Sequence, residues 1–423
     1  MGFRFLSSIT YPKIFKLSWL TRSRVLLYSC IPLALFLALL GMLIYYADFH
    51  NPAMGWLFMD FRAAWSASYL AEIGRAQDAY SPATLNSVSW VLEPFARYID
   101  TAKYDSGNIA AFIYWLYPPT YLLILFPIAY LPWVYSLVFY LGTTLTLYLF
   151  ALWKQIADPV IIAALLAFPA VWLNIRYGQN GFLVAGLLGF GLLFLKDHPK
   201  IAGIFIGILC IKPHLALIIP IALIAMNAWS TITVAAFVAL TLSFASLLMF
   251  GESSWEGWFN SLSIARSILE NRPLHWMYSP SVYASIRLVG GSIVLAYIGQ
   301  LLCTLLVMLV VWRIWKNSSS WPIKQGVVAL ACLLCSPYVY DYDLCLAGLA
   351  IVFFISASRE NGWLDGEKIV LVAVWLLPLI MIPTAAYTSI QIGPLILLPM
   401  LLMFYRKSKQ SIDLCGSSFP IQE

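Results

Sequence analysis

The chain has 423 residues, of which 62% are hydrophobic and only 10% charged, with a net charge of +6. A soluble domain carries roughly 25% charged residues, so a water-soluble core is excluded. The basic residues sit at the ends of apolar runs, which excludes a nucleic-acid footprint and points to the rim of an integral membrane protein.

Five basic residues, Arg4, Lys13, Lys16, Arg22 and Arg24, precede the first apolar run, Val25 to Ala47. That run is too long for a signal-peptide core and has no small-residue cleavage site after it. It reads as an uncleaved anchor behind a cytoplasmic segment, residues 1–24. The stretch from about 48 to 109 is the longest polar one, with seven acidic and four basic residues. It is expected on the outer side as short helices lying on the membrane. The run 112–131 contains Pro118-Pro119 and Pro127, which suits a re-entrant or membrane-lying helix. The first outer region thus covers about 48–132.

Apolar runs follow to residue 250, then a second outer region, about 252–292, then further runs to 405. Lys154, the cluster from Lys196 to Lys200, Arg313, Lys316, Lys324 and Arg406 to Lys409 are expected on the cytoplasmic side. The fold expected is all-α and polytopic, with about twelve transmembrane helices in a domain spanning 25–405 and a cytoplasmic tail, 406–423. A second topology makes 112–131 a full span and merges 199–227 into one helix. It places the 196–200 cluster outside. The first is preferred because it gathers most of the polar motifs on one outer face. Runs with internal Gly and Pro, and no alternation of about ten residues, argue against a β-barrel. The seven cysteines lie mostly inside apolar runs and indicate no disulfide framework. The pair in Cys332-Leu-Leu-Cys335 reads as two small buried hydrophobes.

Several polar residues stand out against this background. Asp60 is suited to accept a proton from an acceptor hydroxyl. Arg62 is suited to hold a phosphate or to keep Asp60 ionised, and an interfacial ion pair is the structural alternative. Lys212 interrupts two apolar runs just before Pro213. A lysine at membrane depth marks a functional site by default, and a snorkelling lysine is its plain alternative. His214 beside it is the weaker candidate. Gln179 and Asn180, between Gly178 and Gly181, offer donors and acceptors for sugar hydroxyls, or form a turn that caps helices. Asp341 and Asp343 follow Ser336-Pro337, and Asp343 also suits a helix N-cap. Their spacing is weakly similar to oxygen-ligand metal sites, but no metal and no other cofactor is expected. His275 lies with Arg266, Arg272, Trp255, Trp258 and Trp276 in the second outer region, where the headgroup belt is the commoner explanation. No Walker, dinucleotide-binding, zinc or Ser-His-Asp pattern occurs.

Read in order, these motifs resemble the membrane glycosyltransferases of the GT-C class, and among them glycosyltransferase family 87. The carrying residues are Asp60-Phe61-Arg62-Ala63-Ala64-Trp65, Tyr80-Ser81-Pro82, Tyr117-Pro118-Pro119 and Gly178-Gln179-Asn180. Ala202-Gly203 and Gly207 then lead into Lys212-Pro213, and Ser336-Pro337 precedes the Asp341 and Asp343 pair. The resemblance runs over roughly 45–350. It implies a polyprenyl-phosphate donor, mannose as the sugar, inverting displacement at the anomeric carbon, and a lipid or glycan acceptor. It also implies a base in the first outer loop, a role that falls on Asp60. Lys212 and Arg62, or an arginine of the second loop, would then neutralise the donor phosphate. Tyr117, Gln179, Asn180, His214, His275, Asp341 and Asp343 would line the sugar and acceptor site. Some relatives carry a histidine where Asp341 and Asp343 stand here. Membrane lipids are expected partners and nucleic acid is not. The expected location is a bacterial inner membrane with the site on the periplasmic side. A transporter or flippase of lipid-linked saccharides is the alternative, since it would use the same intramembrane charges.

Overall fold

The computed structural model describes residues 21–49, 58–91, 113–318 and 320–416. The expected cytoplasmic segment up to residue 20, the outer-loop stretches 50–57 and 92–112, and the end of the tail lie outside the described residues. Among those described, every regular element is a helix.

Helix α1 (Arg22–Phe49) exposes apolar side chains around its circumference, as a helix surrounded by lipid does. The region expected on the outer side, 48–132, contains α2 (Met59–Glu72), α3 (Pro82–Val91) and α4 (Pro119–Leu125), the last continued by a 3-10 turn to Tyr130. Pro119 and Pro127 occupy the first turns of their elements, where a missing N–H breaks no helical bond. Pro119–Tyr130 has fewer than 18 residues and is too short to cross alone. It lies against α2, where the Trp65 indole donates to the Leu131 carbonyl and the Ser68 hydroxyl to that of Leu125.

Helix α5 (Trp133–Ile156) is long enough to span. Helices α6 (Pro159–Leu166) and α7 (Pro169–Tyr177) form one run bent by 47° at Pro169. Next come α8 (Gly181–Phe194) and α9 (Pro199–Ile208), which ends in a 3-10 turn at Ile211. A break at Lys212 follows, then α10 (Pro213–Ala216), α11 (Ile219–Ala225) and the spanning helix α12 (Trp229–Phe250). The second region expected on the outer side, 252–292, is helical, with α13 (Glu252–Asn271), α14 (Pro273–Tyr278) and α15 (Val282–Leu288). Helices α16 (Ile293–Asn317) and α17 (Trp321–Cys335) lead to a 3-10 turn, Asp341–Leu344, that runs into α18 (Cys345–Asn361). Helices α19 (Glu367–Thr388) and α20 (Gly393–Gly416) close the chain, and α20 carries the basic run 406–409 within it. Six helices among the described residues are long and apolar enough to cross a membrane, or seven with the bent run.

The merged helix over 199–227 does not form, because Pro213 leaves the break at Lys212. The two legs on either side form a hairpin. Helix α9 runs beside α12, where a Cβ on Gly207 would come within 2.6 Å of the Ala235 carbonyl oxygen, so only glycine permits this approach. The Thr231 hydroxyl donates to the Pro199 carbonyl, which places the start of α12 beside the start of α9.

The bundle has two unlike ends. Helix α18 with its 3-10 turn runs 21 residues from Asp341 to Asn361, about 30 Å at ~1.5 Å per residue. At its far end Arg359 pairs with Asp158, which also binds Arg22 at 3.0 Å. Lys154 lies one turn before Asp158, and Lys407 binds Glu367 at 2.9 Å close by Gly362. Ser320 contacts Glu360, and Gln325 donates to the Leu192 carbonyl, which brings Lys324 and the 196–200 cluster to this same end. The basic rim is therefore gathered at one end and Asp341 stands at the other. Four helices approach that other end, Gly181–Phe194, Pro199–Ile211, Pro213–Ala225 and Trp321–Cys335, and each has only 10–17 residues. At ~1.5 Å per residue they stop short of the ~30 Å needed to cross, so their tips form a recessed floor.

Candidate active site

A cavity of about 990 Å³ opens above that floor. Its wall combines apolar residues such as Ile113, Leu116, Leu262 and Leu269 with a polar set contributed by seven segments.

Asp60 comes from the first turn of α2. The Phe58 amide donates to the Arg176 carbonyl at 2.8 Å, which pins the start of α2 to the end of α7. Gly178 closes α7 with φ +66°, and a Cβ there would overlap the Cβ of Phe61. Glycine is required both for the left-handed backbone and for the contact that brings Asp60 to this turn. Gly178→Ala should lower the thermal midpoint, with about 1–2 kcal/mol from the backbone alone. It should also lower turnover by displacing α2, and a thermal melt with a rate assay checks both.

Arg62 does not reach the cavity with Asp60. Two residues along a helix is a rotation of about 200°, so the two side chains leave α2 on opposite faces. Arg62 is buried and does not line the cavity. The sequence-based pairing of the two residues at one site therefore does not hold in space.

Tyr117 sits on the stretch 113–118 that precedes α4. Asn86 brackets Ile113 with two hydrogen bonds of 3.0 and 3.1 Å, and the Tyr80 hydroxyl donates to the Tyr117 carbonyl at 3.0 Å. These contacts account for the Tyr80-Ser81-Pro82 motif, which begins the short helix carrying Asn86. The Tyr117 hydroxyl donates at 2.9 Å to Gln179 Oε1.

Gln179 faces the cavity, whereas its neighbour Asn180 does not line it. Asn180 stands at the N-cap of α8 without a side-chain capping bond, so the capping expected of that amide is absent. Its Oδ1 accepts instead from Lys212 Nζ at 3.2 Å, and Asn174 Oδ1 takes the Gly181 amide at 2.8 Å.

Lys212 lines the floor at 3% exposure and forms an ion pair of 2.6 Å with Asp343, itself 1% exposed. The other Asp343 oxygen accepts the Tyr340 amide at 3.1 Å in a capping box, so this carboxylate serves both capping and pairing. It does not line the cavity. Asp341 does, with Oδ1 accepting from the Tyr342 amide at 2.9 Å and Oδ2 from the Tyr177 hydroxyl at 3.4 Å.

His214 lines the wall edge-on to Tyr338, with ring centroids 5.8 Å apart. His275, on α14, contacts the Tyr340 hydroxyl through Nδ1 at 3.2 Å. Burial, with the nearby Arg272 charge, pushes its pKa down to about 4, so it is neutral at physiological pH. Arg272 donates to the Tyr114 hydroxyl at 3.1 Å and stacks on that ring. Among the described residues no carboxylate forms an ion pair with it, whereas Arg266 is paired with Glu270 at 2.8 Å. Arg176 also reaches the lining.

Asp60 is half-buried, and desolvation pushes its pKa up to about 6 against the opposing influence of Gln179 and Lys212. A carboxylate tuned to that range is ionised at neutral pH yet basic enough to take a proton. Sequence reasoning passed over the aromatic wall of Tyr338, Tyr340 and Tyr342. Its signal is the run of three tyrosines at every second position after Ser336-Pro337, the last of them already inside the 3-10 turn. Among the described residues no three His, Cys, Asp or Glu side chains group as a metal site.

The family model of glycosyltransferase family 87 matches residues 115–337, more than half of the chain. No curated protein and no solved structure matches it. The matched segment includes the Gln179 turn, Lys212, Arg272 and His275, and stops short of Asp60 on one side and Asp341 on the other. With the polytopic helical fold and a recessed cavity of mixed polar and apolar lining, the chain belongs to glycosyltransferase family 87 and is a membrane glycosyltransferase.

Proposed function

We propose that the enzyme transfers a sugar, mannose by resemblance, from a polyprenyl-phosphate donor to a lipid or glycan hydroxyl on the outer face of the membrane. The observation that carries this reading is the pairing, within one largely apolar cavity, of a tuned carboxylate with arginines of the second outer loop. The basic rim lies at the opposite end of the bundle, which by the positive-inside rule supports an outward-facing cavity.

In this reading Asp60 takes the proton of the acceptor hydroxyl as that oxygen attacks the anomeric carbon. The bond from that carbon to the phosphate oxygen breaks on the opposite face, and the lipid phosphate leaves with the electron pair. Arg272 is the cation best suited to neutralise it, because its hydrogen-bond partner is a neutral phenol. Lys212, which the sequence singled out for the phosphate, faces the same space, but its charge is offset by Asp343. One departing phosphate requires less compensating charge than a diphosphate.

Arg272→Gln is expected to raise the KM for the donor roughly 10–100-fold, the equivalent of a charged hydrogen bond worth about 1.5–3 kcal/mol. The decisive experiment incubates the purified protein with radiolabelled polyprenyl-phosphate mannose and a membrane lipid extract. Label appearing on a new lipid or glycan supports the reading. Movement of intact donor across a vesicle membrane without transfer would establish a flippase instead.

A further inference from the structure

Helix α14 has only six residues, with Arg272 at its N-cap and His275 within it. The last carbonyls of a helix lack intrahelical partners, and in so short a helix they are most of the set. What fixes α14 in place therefore comes largely from outside it. Gln391 meets its far end. This residue lies in the turn between α19 and α20, is 1% exposed, and stands beyond the end of the family match. Its Nε2 donates to the Trp276 carbonyl at 3.2 Å and to the Met277 carbonyl at 2.8 Å. Its Oε1 accepts the Gly393 amide N–H at 3.0 Å. All three partners are backbone groups, whose roles as donor or acceptor are fixed. Turned over, the side chain would set its NH₂ against an N–H and its oxygen against two carbonyls, so the amide faces one way only.

The same turn grips the segment that follows. The Gln391 carbonyl accepts the Ser285 hydroxyl of α15 at 3.1 Å. Pro280, just after α14, packs against Gly393 so closely that a Cβ there would lie 2.6 Å from the proline ring. On the other side of α14, the Trp276 indole donates to the Leu269 carbonyl of α13 at 2.6 Å, and the Arg287 guanidinium lies 4.5 Å from the centre of its ring. Trp276 is thereby buried as an anchor, not spread in a headgroup belt. We propose that Gln391 is a positioning residue for donor binding: it clamps the end of α14 and so holds Arg272 where the lipid phosphate docks. This rests on the reading of Arg272 as the phosphate cation. It extends the working site to the α19–α20 turn, outside the family-matched segment.

The contacts that α14 makes toward the cavity show why a clamp matters. Arg272 reaches the Tyr114 hydroxyl at 3.1 Å and His275 that of Tyr340 at 3.2 Å. Retreat of α14 by about 1 Å would take both beyond hydrogen-bonding range. Arg272 stands four residues before Trp276, about 6 Å or one helical turn along the axis, so a shift at the clamped end is felt at the guanidinium. Without the Gln391 donors the Met277 carbonyl loses its 2.8 Å bond, and α14 keeps only its ties to α13 and α15 on that side. Asp60 belongs to a different wall, on α2, and is not moved by this loss. The expected signature is therefore weaker donor binding with chemistry retained.

The test measures kcat, donor KM and thermal midpoint of the full-length protein with radiolabelled polyprenyl-phosphate mannose. Four variants are compared: Gln391→Met, Arg272→Gln, the two combined, and Gln325→Met. The last is a matched control, a buried glutamine that donates to the Leu192 carbonyl at the opposite end of the bundle. Gln391→Met is expected to raise donor KM by about three- to tenfold and to leave kcat within about twofold. Gln325→Met should lower the midpoint to a similar degree with KM unchanged. The combined variant should have a KM no higher than Arg272→Gln alone, since Gln391 acts only through Arg272. A native KM in Gln391→Met beside a raised one in Arg272→Gln would make Gln391 merely structural and overturn the inference. So would a KM raised equally in Gln325→Met, or increases that multiply in the combined variant. A native KM in Arg272→Gln would remove the phosphate assignment itself, and the clamp's role with it, which is a distinguishable outcome. If Gln391→Met yields no folded protein, Gln391→Asn retains the amide but shortens its reach, and its KM is read against the same predictions.

Discussion

Asp60→Asn should lower turnover by roughly 10²–10⁴-fold, about 3–5 kcal/mol of barrier, while leaving donor affinity largely intact. The substitution keeps the size of the side chain, but an amide cannot take a proton near neutral pH. Donor affinity should persist because the proposed phosphate cation, Arg272, comes from a different part of the cavity wall. The pH dependence has a fixed sign. With its pKa raised to about 6, Asp60 is ionised above that pH and protonated below it, so the native rate should fall as pH drops through about 6. Single-turnover rates on Asp60→Asn and Asp341→Asn decide the assignment. Asp341 is the proper comparison because it also lines the cavity. Collapse of chemistry in Asp341→Asn with a near-native Asp60→Asn would move the base to the later carboxylate.

Lys212→Ala should primarily destabilise the protein. The alanine would leave the Asp343 carboxylate buried without its cation, and breaking one side of a buried pair costs about 3–5 kcal/mol. Yield of folded protein and thermal midpoint should both fall sharply. Lys212→Ala combined with Asp343→Ala should recover much of that loss, because no isolated charge remains. The recovered double variant then separates the roles of the lysine. If it binds donor with native affinity, Lys212 shapes the floor; if donor KM remains high, the ammonium also contacts the phosphate. A single Lys212→Ala variant with native stability would show that Asp343 finds other compensation. From the sequence alone, the opposite order of effects is expected, with donor use lost before folding, because a lysine between apolar runs does not disclose its partner.

Much of this protein is determined locally and was therefore legible. Hydropathy fixes the all-helical membrane class, since lipid forces every backbone group to bond within its own helix. The prolines mark the breaks at 118–119 and at 213, and the basic residues mark one end of the bundle. Asp60, Lys212 and Gln179 declare themselves as polar residues among apolar ones, which is costly enough to need a reason.

What the sequence leaves open is which of these residues meet. Lys212 and Asp343 are 131 positions apart and pair only because the Lys212 break and the turn before α18 converge on one floor. Asp60 and Arg62 are two positions apart and separate, because the stretch is helical and its faces diverge. Gln179 and Asn180 are adjacent, yet one receives the Tyr117 hydroxyl on the cavity wall and the other the Lys212 ammonium. Identity and hydropathy are properties of single positions and short windows, whereas a partner is a property of how helices pack. The sequence by itself therefore determined the class of the protein and nominated its chemical groups. Only the tertiary structure decided which charge is neutralised and which carboxylate stands open.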